Sequence, residues 1–165
     1  MINFLDKTGG VIVDADSLSK MSYLELSAMI FATKAHQGQV RKYSGSPYIV
    51  HPADVVSILK RHGYNDDHMF SAAWLHDVVE DTDITQDVLE QYFPDKTANL
   101  VYWLTNPSKP IHGNRKKRKA IDALHLRMAP DKAQNVKCAD VISNAPSIRL
   151  NDPDFWKVWS REKRE

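Results

Sequence analysis

Ala72-Ala73-Trp74-Leu75-His76-Asp77-Val78-Val79-Glu80-Asp81 decides the architecture: a run that is apolar on nearly every face gives way at once to an imidazole and three carboxylates. A segment apolar all round belongs at the centre of a helical domain. Asn65 or Asp66 can cap this helix, which the pattern extends through Val79. Glu80 would then stand one turn beyond His76, and Asp81 one turn beyond Asp77. Four such groups buried without partners would cost several kcal/mol, and a divalent cation is one partner that compensates all of them. The plain alternative is that Glu80-Asp81-Thr82-Asp83 is a solvated helix end.

Working outward, the chain continues to read as helices. Upstream, Ser22 caps a helix over about Tyr23 to Gln37, with Glu25 three residues on and Gly38 as the stop. A Gly- and Pro-punctuated loop follows, and Pro52 suits the first turn of a second helix that runs to about His62, before Gly63. Downstream, Asp83 or Thr85 caps a short helix ending near Phe93-Pro94, and Asp95 to Leu104 forms the next. After the Asn106-Pro107 and Lys109-Pro110 breaks, Asn114 to Met128 reads as a basic helix with apolar positions at Ile121, Leu124 and Met128. Asp131 caps the helix that carries Asp140 and Asn144, and Pro146 is expected to end or bend it. Pro153 starts a terminal amphipathic helix bearing Phe155, Trp156 and Trp159. The fold class is therefore all-α, a single bundle of about eight helices over residues 21–165. Residues 1–20 are read as an N-terminal arm in which Gly9-Gly10 and Val11-Ile12-Val13 could form a short strand or hairpin.

Composition bounds what such a bundle can do. At 165 residues and 42% apolar content, one domain with a full core is expected. With 22 basic against 21 acidic residues the net charge is +1, so any attraction to phosphate must be local. Cys138 stands alone, which excludes an intramolecular disulfide and fits a reducing compartment. No apolar stretch approaches the roughly 20 residues of a membrane span, and Met1 to Phe4 lacks a signal-peptide character, so a cytoplasmic location and no membrane partner are expected. Arg115 to Lys119 reads as a solvated basic face, with Lys109, Arg115 and Lys116 the side chains closest to serving a phosphate. No aromatic interleaving supports nucleic-acid binding. Trp74, Trp103, Trp156 and Trp159 are assigned to the core or to a homo-oligomer contact. His36, His62, His68, His112 and His125 are read as structural or exposed, and Cys138 as packed.

Two distant positions change the reading of the central stretch. His51 stands at the start of a helix after Ser46-Pro47-Tyr48, and Asp140 lies inside the apolar Val136 to Ile142 segment. Each has a bland reading alone, as a cap or a satisfied core carboxylate. Together with His76 and Asp77 they form a mixed N/O set suited to Mn²⁺, Zn²⁺, Fe²⁺ or Co²⁺, with room for water in an octahedral site.

Arg41-Lys42-Tyr43-Ser44-Gly45-Ser46-Pro47-Tyr48-Ile49-Val50-His51-Pro52, then Leu75 to Thr82, then Val136 to Asn144, resemble in order and spacing the hydrolase domain of RelA/SpoT alarmone enzymes of the HD superfamily. The resemblance to short metazoan SpoT-like and small alarmone hydrolases runs from about Ser22 to Trp159. It implies an all-helical HD phosphohydrolase that uses one Mn²⁺ to remove the 3′-diphosphate of (p)ppGpp. By the same resemblance the metal ligands are His51, His76, Asp77 and Asp140, and the catalytic carboxylates are Glu80 and Asp81. Arg41 and Asn144 fall on the nucleotide-binding positions, with Lys42 and Tyr48 beside them. The sequence departs from the family at Val141, where a basic residue is usual, and in the context Ile142-Ser143-Asn144-Ala145-Pro146; both bear on substrate identity. The competing expectations are an HD deoxynucleoside triphosphohydrolase or nucleotidase of viral type, and a non-catalytic nucleotide sensor.

Overall fold

The computed structural model describes residues 15–163. Among these residues the chain forms α1 (Ala15–Ser19), α2 (Tyr23–Ala35), α3 (Val50–Arg61), α4 (Asp67–Leu75), α5 (Val78–Asp81), α6 (Gln86–Tyr92), α7 (Asp95–Leu104), a 3-10 turn at Pro110–His112, α8 (Arg115–Arg127), α9 (Asp131–Asn151) and α10 (Pro153–Glu162). Setting aside the five-residue α1 and the four-residue α5, the all-α bundle has the expected size. Extended pairing among the described residues is limited to one antiparallel bridge, Val40 to Pro47. The hairpin reading of Gly9 to Val13 lies outside the described residues, while Ala15–Ser19 of the expected arm is helical.

Local chemistry sets the helix limits. The side chains of Ser22, Asp66, Asn114 and Asp152 each accept a backbone N–H in the first turn of α2, α4, α8 and α10, satisfying donors that would otherwise have no partner. Gly38 and Gly63, at φ +82° and +83°, turn the chain after α2 and α3 in a conformation that side-chain-bearing residues resist. The capping box expected at Ser22 is half made: the Glu25 carboxylate does not return to the cap but is buried against Lys60.

α4 is the axis of the domain. Met69 to Leu75 are all buried, Trp74 completely, and α2, α3, α7 and α9 pack around them. Each fully buried large apolar side chain contributes on the order of 2–3 kcal/mol of transfer free energy, so the hub is held from four sides.

Several sequence expectations need correction, the cap at Asp131 among them, because α9 follows Pro130 and has no side-chain cap. The helix through Ala72 to Val79 breaks at His76-Asp77, because the His76 Nδ1–H donates to the Ala73 carbonyl at 2.7 Å and takes over the role of a ladder donor. Pro146 does not end α9, which continues to Asn151; the proline deprives the Ile142 carbonyl of its helical donor, and Ile142 is half exposed, where water can serve. On α8, Ile121, Leu124 and Met128 are exposed and Asp122 is the buried residue, accepting from the Ser108 N–H and Lys119. Cys138 is exposed, not packed. It lines an open cavity of about 810 Å³ between α7, α8, α9 and α10.

Candidate metal and phosphate site

Three elements converge beside the hub. The loop before α3 is braced by Arg41 N–H to Ser46 O at 2.7 Å and Tyr48 N–H to Gln39 O at 2.9 Å, and it delivers His51 into the first turn of α3. The break after α4 turns His76 and Asp77 inward, and α9 supplies Asp140 from the facing side. His51, His76 and Asp77 bring one ligand atom each within 4.8 Å of one another. Asp140 Oδ1 joins them at 3.1 Å from His51 Nε2 and 3.9 Å from His76 Nε2.

The donor chemistry fits a cation. His76 Nδ1 gives its proton to Ala73 O, so in the neutral ring Nε2 is a bare lone pair. That lone pair faces His51 Nε2 at 3.3 Å and Asp77 Oδ2 at 3.0 Å. His51 is fixed from behind by Ser143 Oγ at 3.0 Å from its Nδ1, and Asp77 by the Tyr48 hydroxyl, which donates at 2.6 Å. Such outer contacts are what orient metal-ligating side chains. Without a metal, a proton takes part of the cation's place: burial disfavours a charged His76, but Asp77 and then Asp140 outweigh it and push its pKa up to about 9. Burial holds His51 below its ordinary value. Although burial opposes it, the adjacent imidazoles hold Asp77 ionised, and Lys137 with His51 does the same for Asp140. Burial, followed by the Asp77 charge, raises the Tyr48 phenol far above its usual range and keeps it a donor.

The other predicted residues are placed unequally. Asp81 stands beside the Tyr48 hydroxyl, its carboxyl raised by partial burial and by Asp77. Glu80 accepts the Asn106 backbone N–H at 2.7 Å and its side-chain amide at 2.9 Å. Arg41 Nη2 donates to Asn144 Oδ1 at 2.7 Å, and Asn144 Nδ2 donates to Asp140 Oδ1 at 2.6 Å, which ties the nucleotide-binding candidates to the cluster. Lys42 lies outside this chain, against Tyr43 and Asp152. Sequence reasoning passed over Lys137, whose Nζ is 2.8 Å from Asp140 Oδ2, and Ser143; both stand one turn from Asp140, a spacing that could have flagged them. It also passed over Asn106, for which no local signal exists. Asn106 and Lys137 line the cavity next to the cluster.

An all-α bundle with a converging His/Asp donor set is the frame of a helical domain able to hold a metal. The HD domain family model matches residues 28–157, and the chain belongs to that family. It is 37% identical over 141 residues to a probable guanosine-3′,5′-bis(diphosphate) 3′-pyrophosphohydrolase of Synechocystis, covering 84% of this chain but 18% of that protein. It is 34% identical to the guanosine-3′,5′-bis(diphosphate) 3′-pyrophosphohydrolase MESH1 of Xenopus tropicalis, covering 84% and 77%, and 36% identical to its Homo sapiens counterpart, covering 79% and 73%. A solved metazoan ortholog of SpoT, described as hydrolysing ppGpp, superposes with a TM-score of 0.75 at 26% identity over 86% of this chain and 83% of that one. No helix among the described residues is long and apolar enough to cross a membrane.

Proposed function

We propose that this protein is a metal-dependent guanosine-3′,5′-bis(diphosphate) 3′-pyrophosphohydrolase, its folding unit spanning residues 21–165. The observation that carries the reading is the convergence of His51, His76, Asp77 and Asp140, imidazoles and carboxylates of the kind that together bind a divalent cation. In this reading these four residues hold one Mn²⁺ in a cytoplasmic enzyme whose partner is a nucleotide. The cation supplies Lewis acidity and charge neutralisation toward the phosphate that is cleaved. Asp81, with its raised pKa, is suited to take and return a proton, while Glu80, anchored by Asn106 next to the cavity, serves the other side of the phosphate. Arg41 and Asn144 would exchange their mutual hydrogen bond for contacts to the nucleotide, and Lys42 would swing in from the loop. Tyr48 acts through Asp77, which it already holds. Lys137 puts a cation beside Asp140 and the cavity, where phosphate oxygens would approach.

Product analysis tests this. With Mn²⁺ and a panel of ppGpp, NADPH and the four dNTPs, the wild type is expected to convert ppGpp to GDP and diphosphate, and Asp77→Ala to leave it intact. Deoxynucleoside and triphosphate from a dNTP alone would keep the hydrolytic site and replace the substrate. Binding of ppGpp without products would instead make the protein a sensor.

A further inference from the structure

His36 follows the last turn of α2 as a buried imidazole, 3% exposed. Its Nδ1 lies 2.8 Å from Gln39 Oε1, and the same amide's Nε2 donates to the Asp81 main-chain carbonyl at 2.5 Å. A carbonyl oxygen can only accept, so the Gln39 NH₂ is committed to Asp81, its Oε1 faces His36, and His36 Nδ1 must carry the proton it donates. The other face of the ring packs on Tyr48, with centroids 4.6 Å apart and planes 30° from parallel. Tyr48 in turn donates to Asp77 Oδ2 at 2.6 Å. One imidazole therefore touches both routes into the site, one through Gln39 to Asp81 and one through Tyr48 to Asp77.

The ring also has a feature that packing alone does not ask for. Its Nε2 is buried and has no hydrogen-bond partner among the described residues. A buried, unpaired nitrogen is a liability that a phenyl ring of similar size would avoid, and such groups are uncommon enough in folded proteins to need a reason.

We propose that His36 is a positioning residue that aligns the Asp77 and Asp81 side chains, whose main chains share one helical turn through Asp81 N–H to Asp77 O at 2.9 Å, by bracing Tyr48 with its face and the Asp81 main chain through Gln39. The proposal rests on the hydrolytic reading above, in which Asp77 binds the cation and Asp81 moves the proton. Hydrolysis needs those two carboxylates in fixed register, and small misplacements of reacting groups are costly in rate. The Gln39 link spans 42 residues of sequence and joins the loop after α2 to the end of α5.

The test opposes stability to turnover. His36→Phe keeps the ring on Tyr48 and removes both nitrogens, so its melting temperature should equal or exceed that of wild type. Its kcat on ppGpp with Mn²⁺ should nevertheless fall roughly tenfold or more, with KM and the Mn²⁺ dissociation constant held within about threefold. Gln39→Leu, on a partly exposed loop where folding is not at risk, should lower kcat in the same sense. The double variant should be no slower than the slower single one, because both cut the same link. A His36→Phe enzyme with wild-type kcat, a loss confined to KM or metal affinity, or single effects that multiply would each overturn the proposal. If His36→Phe fails to fold, Gln39→Leu alone decides by the same criteria. Nitrogen-15 spectra of the histidines provide a readout independent of substrate. Wild-type His36 protonated on Nδ1, with that preference lost in Gln39→Leu, supports the link, and protonation on Nε2 overturns it. A wild type that leaves ppGpp untouched would sink the substrate reading, and the spectra would still decide this one.

Discussion

Among the charges buried within this small domain, two groups are completed in opposite ways. Glu25, 2% exposed, accepts Lys60 Nζ at 2.7 and 2.9 Å and lies 3.5 Å from Trp74 Nε1. Its donors come from the chain itself, so nothing further is required. At the cluster of His51, His76, Asp77 and Asp140 the two Nε2 atoms stand 3.3 Å apart, a separation that calls for a proton or a cation between them. Lys137 and Asn144 satisfy part of Asp140, yet the side facing the imidazoles is left to a cation or a proton. Burial of charge is thus no sign of function by itself; what separates the two regions is whether the chain supplies the counter-charge.

Breaking each region should read out differently. The largest effect is expected for Asp77→Ala, which should reduce hydrolysis by roughly 10³-fold or more, in keeping with the several kcal/mol that a metal contributes to stabilising transition-state charge. Steady-state rates at saturating Mn²⁺ check this, and a loss under tenfold would remove Asp77 from the site. Next comes Glu25→Ala, expected to cost about 3 kcal/mol in urea unfolding by leaving the Lys60 ammonium and Trp74 N–H without their acceptor. Lys60 is partly exposed, which puts the cost at the low end of that class. Metal affinity should not move; if it did, the two regions would not be independent.

A third expectation concerns the proton that stands in for the metal. The folded pKa of His76, about 9, lies above its ordinary 6.5, so its contribution to stability is whole below pH 6.5 and is lost as pH rises through 9. Metal-free protein should therefore lose on the order of 2 kcal/mol between those limits, and saturating Mn²⁺ should flatten the slope. Denaturant titrations at several pH values with chelator or metal measure it, and a metal-free protein equally stable across the range would remove the proton from the account. The smallest effect is for Asp66→Ala, which deletes the α4 cap and should cost about 1 kcal/mol, whereas Asp66→Asn keeps the accepting oxygen and most of the stability. A loss of turnover in excess of the loss of fold would show that the hub and the site are more tightly coupled than this comparison allows.

Much of this arrangement was readable in the sequence, for a physical reason. Caps at Ser22 and Asp66 and stops at Gly38 and Gly63 act on neighbours a few residues away, so composition reveals them. His51, His76, Asp77 and Asp140 stood out because each interrupts or borders an apolar helix. What could not be read depends on partners far along the chain. The break at His76 needs the ring to turn onto its own helix, and Asn106 reaches Glu80 across 26 residues. On α8, period alone assigned Ile121, Leu124 and Met128 to an apolar face, but they are exposed and Asp122 is the residue that is buried. Gln39 and His36 looked like loop and scaffold, because nothing local announces a bond to Asp81.

The most direct measurement is a titration of the metal-free protein with Mn²⁺, following the free ion by electron paramagnetic resonance, in parallel with Asp77→Ala and Glu25→Ala. One ion per chain is predicted for wild type and for Glu25→Ala, with the tight site lost in Asp77→Ala. Binding that survives Asp77→Ala, or is abolished by Glu25→Ala alone, would contradict the assignment of the cation to the His/Asp cluster.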